Sequence, residues 1–198
     1  MIHAMVDIEA LGKGDNALVV SAALVAFSPD NAAAVAPFVA VFDPLVVNVR
    51  LQSALDHGAQ VDGSTLRFWM EQDDAARKAL FVDALDESTA LARIREWWQA
   101  SFAEAIWGHG VNFDLRLLGA AFRRHGQRAP WHYRQERDTR TLFDLVNFCC
   151  GAEVEKACWA KGTKADATKH IALNDAQRQA VAVQAAYTAL IEGDLGQP

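Results

Sequence analysis

Two carboxylates stand two residues apart near the N-terminus, Asp7 and Glu9 in AMVDIEALG. On a strand, residues at that spacing point to the same side. Like charges held together repel and raise each other's pKa unless a cation neutralises them. Oxygen ligands of this kind suit a hard divalent ion, Mg²⁺ or Mn²⁺. A third carboxylate, Asp114, follows GHGVNF and opens a helical stretch. His170 and Asp175 lie in KHIALNDAQ, where a loop gives way to a helix. Five helical residues turn through about 500°, so these two would sit roughly 140° apart if both were helical. The arrangement that brings them together puts Asp175 on a helical first turn and His170 on the segment before it. An imidazole titrates near neutrality and is a candidate general base there. Each residue also has a plain alternative: a solvated strand end, an aspartate serving a helix dipole, a surface histidine.

The elements that must position these groups follow from hydrophobic periodicity. Residues 2–8 read as a strand, LVVSAALVAF (18–27) as a buried strand and VAPFVAVFD (35–43) as a third, with Pro37 favouring an edge. SPDN has hairpin-turn chemistry, so the three form an antiparallel meander. The pattern then changes. Residues 48–57 and 64–83 read as helical, and Ser88 is the expected cap of a long helix reaching Phe102. AIWGH (105–109) is a short buried strand, 113–126 a helix stopped by Gly126, WHYRQ (131–135) a last strand and 139–150 a helix. Residues 151–164 read as a loop. Asn174, with Gln177 three residues on, is the expected cap of a final helix to about Ile191. This order predicts an α/β fold, a mixed five-stranded sheet with three antiparallel strands first, then parallel strands, and helices on both faces. One domain over 1–198 is expected, with a helical insertion at about 48–102.

Composition narrows the function. The chain is 52% hydrophobic, enough for a core, and has no apolar run long enough for a membrane span. Its start lacks a basic stretch followed by an apolar one, so no signal peptide is expected, and three cysteines with no Cys-x-x-Cys pair read as free thiols in a reducing cytoplasm. The net charge of −6 argues against a bulk nucleic-acid coat protein, but not against a local polyanion site. Seven arginines lie between 116 and 140, against only Glu136 and Asp138.

Taken together, the motifs resemble a known superfamily. DIEALG (7–12) resembles the first motif, D-x-E-x-x-G, of the DEDDh-type 3′–5′ exonucleases, which share an RNase H-like fold with the proofreading exonucleases and RNase T. HGVNFD (109–114) resembles the second motif, and HIALND (170–175) the third, H-x-A-x-x-D. WHYRQERDTRTLFDL (131–145) is similar to a segment of the small phage-type and actinobacterial members. The three motifs occur in the family's order and span essentially the whole chain.

The resemblance implies a metal-dependent 3′–5′ exonuclease that removes 5′-mononucleotides from single-stranded nucleic acid or 3′ overhangs. Asp7, Glu9, Asp114 and Asp175 are the implied ligands of two Mg²⁺ or Mn²⁺ ions, which clamp the attacking and departing oxygens. His170 is the implied base for the attacking water. Ala10, Leu11 and Phe113 would wedge against the terminal base, and Trp69 is an expected stacking residue. Asn112 belongs to the second motif, and Arg137 and Arg140 are expected phosphate contacts. Residues 151–169 are expected to order on binding. A homodimer is implied by the relatives. The alternatives are an exoribonuclease specific for RNA 3′ ends and a non-catalytic RNase H-like binding module.

Overall fold

The computed structural model describes residues 1–30, 42–162 and 170–192. Its centre is a five-stranded sheet of order β3-β2-β1-β4-β5. The strands are β1 (His3–Ala10), β2 (Val19–Phe27), β3 (Phe42–Asn48), β4 (Ala105–Gly108) and β5 (Glu136–Asp138). β1 runs antiparallel to β2, and β2 to β3; β1–β4 and β4–β5 are parallel. The expected sheet is therefore present. Its third strand is described as Phe42–Asn48; residues 35–41 of the expected strand 35–43 lie outside the described residues. Pro44 is tolerated in β3 because that strand is at the edge.

The two sheet faces are sorted by the alternation of side chains. On β1, the even residues Ala4, Val6, Ile8 and Ala10 join the larger core, with Leu91, Ile94, Leu118 and Phe122. The odd residue Met5 joins a second cluster with Ala23, Val25, Phe27, Ala176 and Ala180. Asp7 and Glu9 continue the odd series, so they emerge on this second face as β1 ends. Every residue of β2 is buried, because β2 is covered on both faces.

Helices α1 (Leu51–Leu55), α2 (Gly63–Met70), α3 (Asp74–Ala79) and α4 (Glu87–Ser101) connect β3 to β4. The expected helix over 64–83 is thus two helices. Ser88 lies inside α4; the cap position is Asp86, and the Glu87 N–H is met by Ser53 Oγ at 2.9 Å. α4 is tied to α5 (Asp114–Arg124) by the buried Glu87 carboxylate, which Arg124 and His125 both engage. The segment WHYRQ holds a 3-10 turn at Tyr133–Gln135, and the strand begins only at Glu136.

α6 (Thr139–Cys150), α7 (Ala152–Gly162) and α8 (Ala172–Glu192) pack together. Phe143 and Val146 of α6, Cys158 of α7 and Ala182, Ala185 and Ala186 of α8 form a third core. The stretch expected to be a loop is therefore mostly helix. α8 begins at Ala172, so Asn174 lies in its first turn rather than at its cap. α8 crosses the second sheet face and carries its Asp175 end toward the carboxylates of β1.

Candidate active site

Strand β1, helices α5 and α8, and the segment just before α8 deliver side chains to one place. Asp7 and Glu9 come from the end of β1. Their register is antiparallel to Ala23 and Ser21, with an irregularity between Glu9 and Ala10 where the strand leaves the sheet. Asp114 begins α5, immediately past the loop that follows β4. The backbone N–H groups of His109 and Ile8 donate to its carboxylate. Gly108 makes room for that carboxylate: a Cβ there would stand 2.9 Å from Asp114 Oδ2. Asp175 sits in the first turn of α8. It accepts from the His170 backbone N–H at 3.1 Å and from Arg178 Nη2 at 3.0 Å.

His170 lies just before α8 with φ of 60°. Histidine tolerates this left-handed region better than most residues, but holding it there costs free energy. The conformation turns the chain so that the imidazole meets Glu9 and Asp175. One ligand atom from each of these three residues lies within 4.8 Å of the others. The ring is held edge-on by Phe68 and Trp69, with centroids 5.3 and 6.2 Å away.

Asp7 and Asp114 complete the acidic wall from the sheet side. Burial pushes the Asp7 carboxyl well above the usual range, and the charges of Asp114, Glu9 and Asp175 push it further, while Gln179 opposes this with a hydrogen bond. Glu9 is raised to about 8 by burial and then by Asp175 and Asp114. Burial also raises Asp114 to about 7, against the backbone hydrogen bonds and the Arg140 charge that favour its ionised form. Four acids thus stand together, and burial with the neighbouring charges disfavours the ionised forms of Asp7, Glu9 and Asp114. That is the donor set of a divalent-cation site: hard oxygens whose mutual repulsion a cation removes. The residues fit the metal pair that the motifs imply.

A cleft of about 230 Å³ adjoins this cluster. Ile8, Glu9 and Ala10 form one wall, Thr65, Phe68 and Trp69 another, and Phe113 a third side. Trp69 is nearly buried, and its Nε1 donates to the Ala10 carbonyl at 3.0 Å. Phe68 is 41% exposed and is the more accessible ring of the pair. Leu11 is buried in the main core behind the cleft. Asn112 is exposed, and its carbonyl accepts from Arg116 Nε.

The segment RDTRTL has a structural task here. Asp138 caps α6 by accepting from the Arg140 N–H, and its other oxygen accepts from the Val111 N–H at 3.0 Å. Thr139 Oγ1 meets His109 Nδ1 at 2.8 Å. Together they fix the loop that presents Asp114. The Arg140 guanidinium lies over Gly110, where φ is 103°, and its charge reaches Asp114. Arg137 is placed elsewhere: its charge acts on His3 and Tyr187, and its Nη1 donates to the carbonyls of Arg134 and Glu136. The structure therefore brings Arg140, but not Arg137, to the carboxylates.

Four contributors were not foreseen from the sequence: Gly108, Phe68, Gln179 and Arg178. Gln179 Nε2 donates to Asp7 Oδ1 at 2.7 Å. The Arg178 guanidinium lies over the Trp159 ring, 5.5 Å from its centroid, so α7 braces the residue that pairs with Asp175. The available signal was the one-turn spacing of Asp175 and Gln179.

The 3′-5′ exoribonuclease Rv2179c-like domain matches this chain across residues 2–187. The chain belongs to that family. Among individual proteins, an exodeoxyribonuclease of Enterobacteria phage T4 is 27% identical over 128 residues, 60% of this chain and 54% of that protein. The chain thus spans about half the length of this curated relative. The nuclease domain of 3′hExo, a DEDDh family member bound to rAMP, superposes with a TM-score of 0.64 at 12% identity, covering 99% of this chain and 94% of that one. Exonuclease I of E. coli, in complex with a dA16 oligonucleotide, gives 0.65 at 15% identity, covering 98% of this chain and 42% of that one. These likenesses establish the RNase H-like exonuclease fold. Among the described residues, no helix is long and apolar enough to cross a membrane.

Proposed function

We propose that the protein is a metal-dependent 3′–5′ exonuclease that removes 5′-mononucleotides from single-stranded nucleic acid or 3′ overhangs. The observation that carries this reading is the convergence of Asp7, Glu9, Asp114, Asp175 and His170 beside an apolar cleft. Asp7, Glu9, Asp114 and Asp175 would hold two Mg²⁺ or Mn²⁺ ions. When bound, such ions supply charge stabilisation at the attacking and departing oxygens of an in-line displacement.

The chain's own groups supply the rest. His170 takes a proton from the attacking water, and Phe68 and Trp69 set the ring's orientation edge-on. The terminal nucleoside occupies the cleft, with Ala10 and Phe113 against the base and Phe68 as the exposed stacking surface. Trp69 and Leu11 support this wall from behind. Asn112 and Arg140 flank the entering strand; Arg140 offsets phosphate charge beside Asp114. Arg137 would contact only nucleotides farther along the strand.

An RNA-specific exoribonuclease is the second reading, favoured by the description of the matching family. The phage relative carries the opposite sugar preference in its name. Incubating end-labelled single-stranded DNA and RNA with the protein and Mn²⁺ tests both readings. Ladders that shorten stepwise from the 3′ end support the proposal, and the faster substrate assigns the sugar. Internal cuts, 5′-end shortening or no cleavage contradict it. A homodimer in the cytoplasm belongs to the same proposal, and light scattering of the purified protein at micromolar concentration tests the pairing.

A further inference from the structure

Gln179 is 2% exposed and lies one helical turn beyond Asp175, so both side chains face the end of β1. Its amide is only half used. Nε2 donates to Asp7 Oδ1 at 2.7 Å, whereas Oε1 is enclosed and meets no donor among the described residues. A buried carbonyl without a partner offsets much of what the other half contributes to folding. A methionine would fill similar volume with no orphaned atom. Stability therefore does not account for an amide at this position, whereas the carboxylate it touches does.

The donor is also neutral. A lysine or arginine in its place would neutralise Asp7 and compete with a cation for it. An amide N–H instead fixes the carboxylate and leaves its charge intact. Ligands held this way keep their rotamer before the ion arrives, and such supporting partners commonly govern affinity.

We propose that Gln179 is a positioning residue for Asp7: it holds Oδ1 and leaves Oδ2 available to a divalent cation. The inference rests on the metal-dependent reading above. The same turn of α8 then carries one ligand, Asp175, and the group that orients another.

Calorimetric titration with Mn²⁺, without nucleic acid, tests this in the full-length protein and in Gln179→Met, alongside thermal melting of each in EDTA. Mn²⁺ should bind the variant about 10- to 100-fold more weakly. Its metal-free melting temperature should stay within about 2 °C of the parent's, since the lost bond and the removed orphan offset each other. Equal Mn²⁺ affinity in parent and variant would overturn the proposal, whether or not the melting temperature falls. If Gln179→Met does not fold, Gln179→Asn carries the test, because it keeps the amide but is too short to reach Asp7. A parent protein that takes up no Mn²⁺ would sink the nuclease reading and this proposal together; a parent that binds and a variant that binds equally well would sink this proposal alone.

Discussion

Replacing Glu9 with glutamine should stabilise the metal-free protein, although Glu9 is assigned to the centre of the catalytic machinery. In the unfolded chain its carboxyl titrates at 4.5, and in the fold at about 8. The folded state therefore binds a proton that the unfolded state has lost, and stability falls as pH rises from the lower value to the higher. At pH 7 the gap from 4.5 corresponds to about 3 kcal/mol, and above pH 8 to about 5 kcal/mol. Those figures are ceilings, because Asp7, Glu9, Asp114 and Asp175 share the same repulsion. Glu9→Gln removes the ionisation. For a chain of this size each kcal/mol moves the melting temperature by roughly 2–4 °C. The variant should then melt about 4–10 °C higher than the parent at pH 7 in EDTA, more at pH 8.5, and nearly level at pH 4.5. Scanning calorimetry across that range is the assay. A lower melting temperature for the variant at pH 7, or a gain that does not grow with pH, would refute the electrostatic reasoning.

Other outcomes follow from the same geometry. Mn²⁺ affinity should fall as pH drops below about 8, and more steeply below about 7, because Glu9 at about 8 and Asp114 at about 7 must lose protons to bind; isothermal titration between pH 6 and 9 reads this directly. His170→Ala should lower the turnover rate by roughly 10²-fold or more on a single-stranded oligonucleotide, with the deficit smaller at high pH, where hydroxide substitutes for the lost base. Gly108→Ala should weaken Mn²⁺ binding by displacing Asp114, since the added methyl would stand 2.9 Å from Oδ2; unchanged binding would show that the carboxylate can move aside. Phe68→Ala should raise KM more than it lowers kcat, by roughly tenfold, which is the loss of one base–aromatic contact.

The residues proposed as the catalytic set could be picked out because each carries a local signature. Asp7 and Glu9 interrupt an apolar strand at a spacing that forces a shared side, and β1 is that strand. Asp114 and Asp175 both lie in first turns, as expected. The convergence itself comes from the sheet order, which lays β1 between β2 and β4 and brings α8 across one face. What escaped was set by tertiary contact. GAEVEKACWAKGTK looks like a loop because its small and charged residues give no strong stripe. Yet Val154, Cys158 and Trp159 find partners on α6 and α8, and that burial makes it a helix. Gln179 is one of two glutamines in DAQRQ, and only its one-turn spacing from Asp175 sets it apart from Gln177. Trp69 was the expected stacking residue, but its N–H is committed to Ala10, and the more exposed Phe68 is left facing the cleft. Arg137 and Arg140 looked equivalent; on a strand and in the following helix turn, they point to different neighbourhoods.

The most direct measurement is anomalous diffraction at the manganese edge from crystals of the protein soaked in Mn²⁺. The account predicts peaks within about 2.0–2.6 Å of carboxylate oxygens from Asp7, Glu9, Asp114 and Asp175, a bonding range typical of hard cations on oxygen. Well-diffracting crystals with no anomalous density among those four acids, or with manganese bound only elsewhere on the surface, would contradict it.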